Sequence, residues 1–233
     1  MNLRAAMALG WPPASSHPVG GFTIQDGAGG GSRVSAALWR GGDYDIAAAE
    51  AAMRDLGQVP LFAVDQDAAA LDADLAARGY GAVDETVMLA GPVAGLTDQP
   101  PKPVSAFVVW PPLAIQRDLW AAGGIGPARL AVMDRAQGPR AALLGRVQDR
   151  AAGVGYVAVA DGTAFVHALH VLPDFRRLCV ARNMMRAAAA WARDQGAEQI
   201  ALVVLRSNAA AIALYQGFGM AEIGGYHYRK ARA

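Results

Sequence analysis

An α/β (α+β) fold, with a mixed, mostly antiparallel sheet flanked by helices, is what this 233-residue sequence predicts. The second half carries one reason: three strand-like runs at 141–148, 155–160 and 163–171 precede an alternation of helix, strand, helix and strand. The first half carries the other, because it repeats the later part of that pattern and makes the chain read as two tandem halves.

In chain order, the first half offers strand-like pieces at 21–24 and 35–39, separated by a glycine-rich run at 27–32. That run resembles a phosphate loop in composition only. Without a basic partner it reads as a flexible hairpin turn. The stretch Gly41-Gly42-Asp43-Tyr44-Asp45 is acidic and would repel phosphate. An alanine-rich helical segment then ends at Arg54-Asp55-Leu56-Gly57, ahead of an apolar strand at 61–64, a short helix and Arg78-Gly79-Tyr80. Prolines in Thr97-Asp98-Gln99-Pro100-Pro101-Lys102-Pro103 stop helix and sheet alike. The expected division is therefore a first domain at 1–96, a linker at 97–104 and a second domain at 105–233.

In the second half, 115–122 and 127–134 read as helices broken at Gly123-Gly124. Asp161-Gly162 is a strong hairpin signal between the second and third strands of the meander. Segment 179–195 is an amphipathic helix with Val180, Met184, Ala188, Trp191 and Ala192 on one stripe, and Gly196 stops it. A buried strand at 200–205, a short helix at 209–216 and a last strand at 221–229 complete the order. The repeat rests on Arg193-Asp194-Gln195-Gly196, which matches Arg54-Asp55-Leu56-Gly57, and on glycine spacing: 57 to 79 in one half, 196 to 219 in the other.

Composition narrows the function classes. A net charge of +1 without blocks of like charge argues against nucleic acid and anionic membrane as partners. Lys102 and Lys230 are the only lysines, so the positive charge is nearly all arginine. Cys179 is the only cysteine, which excludes an internal disulfide and fits a reducing compartment. The apolar run 5–9 is too short for a signal-peptide core, and no run approaches the roughly 20 residues of a membrane span. The expectation is a cytoplasmic protein with no metal site.

Candidate chemistry gathers after the third meander strand. Arg176-Arg177-Leu178-Cys179-Val180-Ala181-Arg182 leads into a helix whose first turn has no acidic side chain. Unpaired N–H groups and the helix dipole make such a start an anion site, and three arginines add to it. Two histidines lie just upstream. By simple strand alternation His167 shares a face with Leu169 and Val171, while His170 points the other way.

With its neighbours this region resembles the GNAT superfamily of acyl-CoA-dependent N-acyltransferases. The family's Arg/Gln-x-x-Gly-x-Gly/Ala motif is met at Arg176 and Ala181, with Cys179 in place of the first glycine. Asn208, Ala213-Leu214-Tyr215, Gly219 and the closing Tyr226-His227-Tyr228-Arg229 fall where the family has similar residues. The likeness covers about 140–230, is thin over 104–140 and is an echo in the first half. It implies acetyl-CoA as cofactor and direct attack by an amine, with a small-molecule acceptor favoured over a protein. Backbone groups of Leu169, His170 and Val171 would pair with the pantetheine arm. Arg176 to Arg182, through Arg177, Leu178, Cys179, Val180 and Ala181, would hold the pyrophosphate, and Asn208 would contact the arm. Tyr215 would protonate the leaving thiolate, and His167, where some members carry a glutamate, would be the general base. Cys179 is the departure, since glycine lets a backbone approach a ligand closely. It leaves a non-catalytic CoA-binding or structural module as the alternative. The first half, with Leu75 where Tyr215 stands, lacks this equipment. A homodimer stays open.

Overall fold

The structure, a computed structural model, describes residues 3–231. The first half comprises α1 (Leu3–Gly10), β1 (Ser15–Val19), β2 (Phe22–Asp26), α2 (Ser32–Ser35), β3 (Ala37–Trp39), α3 (Ile46–Asp55), β4 (Leu61–Asp65), α4 (Ala69–Ala77), β5 (Gly81–Pro92) and α5 (Ala94–Thr97). The second comprises β6 (Ala106–Val109), α6 (Ala114–Ala122), α7 (Pro127–Arg135), β7 (Arg140–Val147), β8 (Arg150–Ala160), β9 (Thr163–Val171), α8 (Val180–Asp194), β10 (Gln199–Leu205), α9 (Ala209–Gln216) and β11 (Ala221–Lys230). Among the described residues the strands form a single sheet in the order β1-β2-β3-β4-β11-β5-β10-β9-β8-β7-β6.

The sheet is antiparallel except at β3–β4 and β9–β10, the two places where a helix crosses from one strand to the next. This is the mixed, mostly antiparallel architecture expected from the sequence. The repeat is visible as well. Gly57 and Gly196 end α3 and α8 in the left-handed region, with φ of 69° and 81°. Gly79 and Gly219 follow α4 and α9 at 85° and 76°.

The sequence pattern gave no sign of how the halves join. The order reads alike from either side of the centre, as β3-β4-β11 and β9-β10-β5. Each half therefore lends its last strand to the other. β5 pairs with β10 from Thr86 to Pro92, and β11 pairs with β4 from Asp65 to Leu61. The two lent strands pair with each other along nearly their whole lengths. The expected linker follows α5 and lies along α8, where the Lys102 N–H donates to Asn183 Oδ1 at 3.3 Å.

Helices cover both faces. Met184, Met185, Ala188 and Ala192 of α8 pack on Leu143, Val157, Val166, Leu202, Val87 and Leu89 in the largest apolar cluster. On the other face, Leu119 and Trp120 of α6 and Met133 of α7 meet Tyr156 and Val154. Trp11 and Val34 join that cluster from the first half, so the first half packs directly on the second half's sheet. In the first half α3 and α4 seal Phe22, Phe62 and Val64 beneath Met53 and Leu75. One local expectation changes: segment 35–39 is a strand only from Ala37, because Ser32–Ser35 winds into α2.

Candidate functional site

β9 is regular as far as His167. Tyr156 faces His167 and Val154 faces His170, so one residue of β8 spans two of β9, and Ala168 takes φ of 50°. This β-bulge flips the alternation. Val166 and then Leu169 and Val171 face α8, within the same cluster. His167 and His170 both face the opposite side: the His167 ring lies tilted against Trp11, with centroids 5.0 Å apart, and His170 sits against Gly123 at the end of α6. A Cβ at Gly123 would stand 2.7 Å from the His170 ring, so that turn is shaped around the imidazole. The simple alternation had put His167 with Leu169 and Val171 and His170 apart. The bulge moves His167 off the face of Leu169 and Val171 and onto that of His170, while His170 still points away from Leu169 and Val171.

The bulge lies where β9 leaves its neighbour. Pairing between β9 and β10 runs from Thr163–Gln199 to Phe165–Ala201 and then stops. Beyond it β10 continues against β5, while β9 runs on with its other edge held by β8. The edge of β9 at Leu169, His170 and Val171 thus lies beyond its last pairing with β10, and there the Val171 carbonyl accepts from Arg176 Nε at 3.4 Å.

At the end of this edge, Pro173–Phe175 forms a 3₁₀ turn and the arginine segment follows. Arg177 and Cys179 both lie in the left-handed region, at φ of 63° and 62°. Such alternation turns successive N–H groups toward one side, as in an anion-binding nest. The first backbone bond closing α8 runs from the Asn183 N–H to the Cys179 carbonyl. Among the described residues, no backbone N–H from Arg177 to Arg182 has a hydrogen-bond partner, and no side chain caps the helix. Arg176, Arg177, Leu178 and Cys179 are exposed, whereas Val180 is buried. Arg182 packs its guanidinium 5.2 Å from the Phe218 ring centre. The Cys179 departure gains a reason here. Cys179 stands at a positive φ of 62°, a backbone that glycine adopts freely and that Cys adopts only at the cost of its Cβ.

The short helix α9 supplies the remaining pieces. Asn208 is its N-cap: Oδ1 accepts from the Ala211 N–H at 3.2 Å, which leaves the side-chain NH₂ for other partners. Tyr215 is buried in the large apolar cluster to which Leu169, Val171 and Val180 also belong. Burial pushes the Tyr215 hydroxyl up to about 12.

His167 stands differently. It is buried, and its Nδ1 accepts from Arg33 Nη1 of α2 at 2.8 Å. Burial first, then the neighbouring guanidinium, hold it well below the usual histidine range. Its Nε2 has no hydrogen-bond partner among the described residues. His170 is also held below the ordinary value, by burial and by Arg176.

Arg33 was not singled out by motif reading. The glycine-rich run 27–32 does turn the chain from β2 toward β3, but it carries a basic residue into the site just past its end. Gly30, Gly31, Ser32 and Arg33 line a cavity of about 270 Å³ together with Trp11, Arg129, Ala168, Val203–Leu205, Tyr226 and Tyr228. The lining includes Ala168 of the bulge and the stretch of β10 that has parted from β9, so the cavity adjoins the gap between those strands. The first-half walls, α2 and β5, meet the second-half walls there. The only foretaste in the sequence was a lone arginine after glycines.

Residues 113–220 match the acetyltransferase (GNAT) family model. An uncharacterized N-acetyltransferase of Bacillus subtilis (strain 168), YobR, is 33% identical over 79 residues, which is 34% of this chain and 32% of the relative. The match thus spans about a third of that relative's length. A GCN5-related N-acetyltransferase from Kribbella flavida superposes with a TM-score of 0.76 at 18% identity, covering 99% of this chain and 95% of that one. A tandem GNAT protein from the clavulanic acid biosynthesis pathway superposes with a TM-score of 0.64 at 16% identity, covering 99% and 87%. At these identities the solved structures speak for the fold.

Proposed function

We propose, from the premise that the chain belongs to the GNAT superfamily through residues 113–220, that it moves an acetyl group from acetyl-CoA to a primary amine of a small molecule. The observation that carries this reading is the parting of β9 from β10 beside an α8 start with no cap. Acetyl-CoA supplies the activated acyl group as a thioester. The chain's residues hold and orient it. Backbone groups of Leu169, His170 and Val171 would pair with the pantetheine arm as a neighbouring strand would. The N–H groups from Arg177 to Arg182 would hold the pyrophosphate, with Arg176, Arg177 and Arg182 adding charge. Asn208, with its oxygen committed to the cap, would offer its NH₂ to the arm.

A backbone N–H near Val171 would donate to the oxyanion that forms as the amine adds. Tyr215 would keep its proton at neutral pH, since its pKa is raised to about 12, and yield it to the departing sulfur. The amine would approach from the cavity beside Ala168. We assign His167 to holding Arg33 and not to taking the amine's proton, which would pass to solvent through the cavity as the nitrogen bonds to the acetyl carbon. The His167 Nδ1 lone pair is already used, and protonation beside a guanidinium in a buried site is costly.

Calorimetry with acetyl-CoA, followed by thiol release over a panel of amines, tests the proposal. The expected result is saturable one-to-one binding and thiol release that requires an amine. Binding without release for any amine would favour a CoA-binding module, and no binding would favour a structural one.

A further inference from the structure

The cavity beside Ala168 has an unusual charge arrangement. Arg33 reaches it from α2, and its hydrogen-bond partner is the His167 imidazole rather than a carboxylate. Its Nε is sealed from solvent and has no hydrogen-bond partner among the described residues. No carboxylate of the described residues forms an ion pair with it. A second guanidinium, Arg129 of α7, lies against the turn that carries Arg33: a Cβ at Gly31 would stand 3.3 Å from Arg129 Nε and Nη2. Arg129 likewise has no ion-pair partner among the described residues. Asp84 of β5 is the one acidic residue in the lining, so two guanidiniums face one carboxylate.

An uncompensated, partly buried guanidinium is costly unless something pairs with it, and a carboxylate answers its fork of donors with two parallel hydrogen bonds. A fixed arginine held by an acceptor that carries no charge of its own keeps its field available to a ligand. His167, held well below its ordinary pKa, stays neutral and can go on accepting.

We propose that the acceptor amine also bears a carboxylate, and that Arg33, aided by Arg129, binds that carboxylate in the cavity beside Ala168. This rests on the acyltransferase reading, with the cavity as its acceptor side. Arg33 is then a specificity-determining residue that the first half contributes to the second half's site. An amine with a carboxylate would be anchored at one end and present the other toward the gap between β9 and β10.

The test compares L-amino acids with their C-terminal amides on the full chain, by calorimetry with and without CoA and by thiol release from acetyl-CoA. In the wild type the acids should be preferred in KM. Dividing the acid-to-amide ratio of kcat/KM by the same ratio in Arg33→Gln cancels the intrinsic reactivity of each amine and should leave about tenfold or more. Arg129→Gln, an exposed position that leaves the core untouched, should give a smaller loss of the same preference. Equal ratios in wild type and both variants would overturn the proposal, as would failure of every amino acid to bind with and without CoA. A preference for phosphorylated amines over carboxylated ones would overturn it too. Loss of acetyl-CoA binding would instead sink the acyltransferase reading, while the carboxylate preference, read in the CoA-free chain, stands or falls separately.

Discussion

Helices α3 and α8 occupy matching places in the two halves, each running from a parallel-paired strand to its partner, yet their first turns differ in chemistry. At α3 the N-cap is Asp45, whose carboxylate accepts from the Ala48 N–H at 3.0 Å. At α8 the N-cap is Cys179 in a left-handed conformation, without a side-chain acceptor, after a turn rich in arginine. One half satisfies its helix start with its own carboxylate, and the other has no side-chain acceptor there. The short helices differ likewise. Counting back alike from Gly79 and Gly219, Leu75 stands where Tyr215 does, and Asp72 where Ile212 does. Asp72 ties α4 to β11 through Arg229 and His227, whereas α9 carries the tyrosine. The two matching elements thus differ in kind: in one half the side chains tie the fold together, and in the other the same places are left without such ties.

On the proposed function, the largest expected effect falls on the second half. Tyr215→Phe should lower kcat about 10²-fold with acetyl-CoA affinity little changed, measured by thiol release and calorimetry. An unaltered kcat would remove the tyrosine from the chemistry and with it half of the contrast.

Next is the clamp in the other copy. Hydrogen bonds from Arg229, then from His227, hold the Asp72 carboxyl at about 2. Its folded pKa lies below the unfolded value of about 3.9, so its contribution is present above that value and is lost as pH falls toward 2. Asp72→Asn should cost about 2 kcal/mol at neutral pH and remove this part of the acid sensitivity, read from denaturant melts across pH.

Transplanting the cap comes third. Cys179→Asp gives α8 the chemistry of α3 and should weaken acetyl-CoA binding about tenfold, while Tm holds or rises. Unchanged affinity would mean that the α8 start is not the anion site. The smallest effect belongs to Asp45→Ala, which should cost about 1 kcal/mol of stability and leave acetyl-CoA binding untouched.

Local signals made much of this readable in advance. The arginine turn, the apolar stripe of α8 and the glycines that end paired helices are written in neighbouring residues, and the elements appeared where those residues put them. Features that depend on distant partners were not readable. The bulge at Ala168 is one residue of register between β8 and β9, and no single-strand pattern encodes it. For that reason His167 lies on the face of His170 and not, as alternation predicts, on that of Leu169 and Val171. Arg33 lies 134 positions from the histidine it grips, and a lone arginine in sequence gives no hint of its target. β5 opens with an exposed, polar stretch that hides its strand character, and nothing local says that it pairs into the other half.

The exchange of β5 and β11 sets a timetable for the chain. β11 is made after every other strand, yet it sits in the middle of the sheet, between β4 and β5. While it is absent, β4 and β5 have nothing between them, and both present open edges until the strands that flank them are made. Neither half can close early, and an emerging chain carries unsatisfied strand edges until its final turn is in place. A cut in the proline-rich connection after folding would leave two fragments woven together through the sheet.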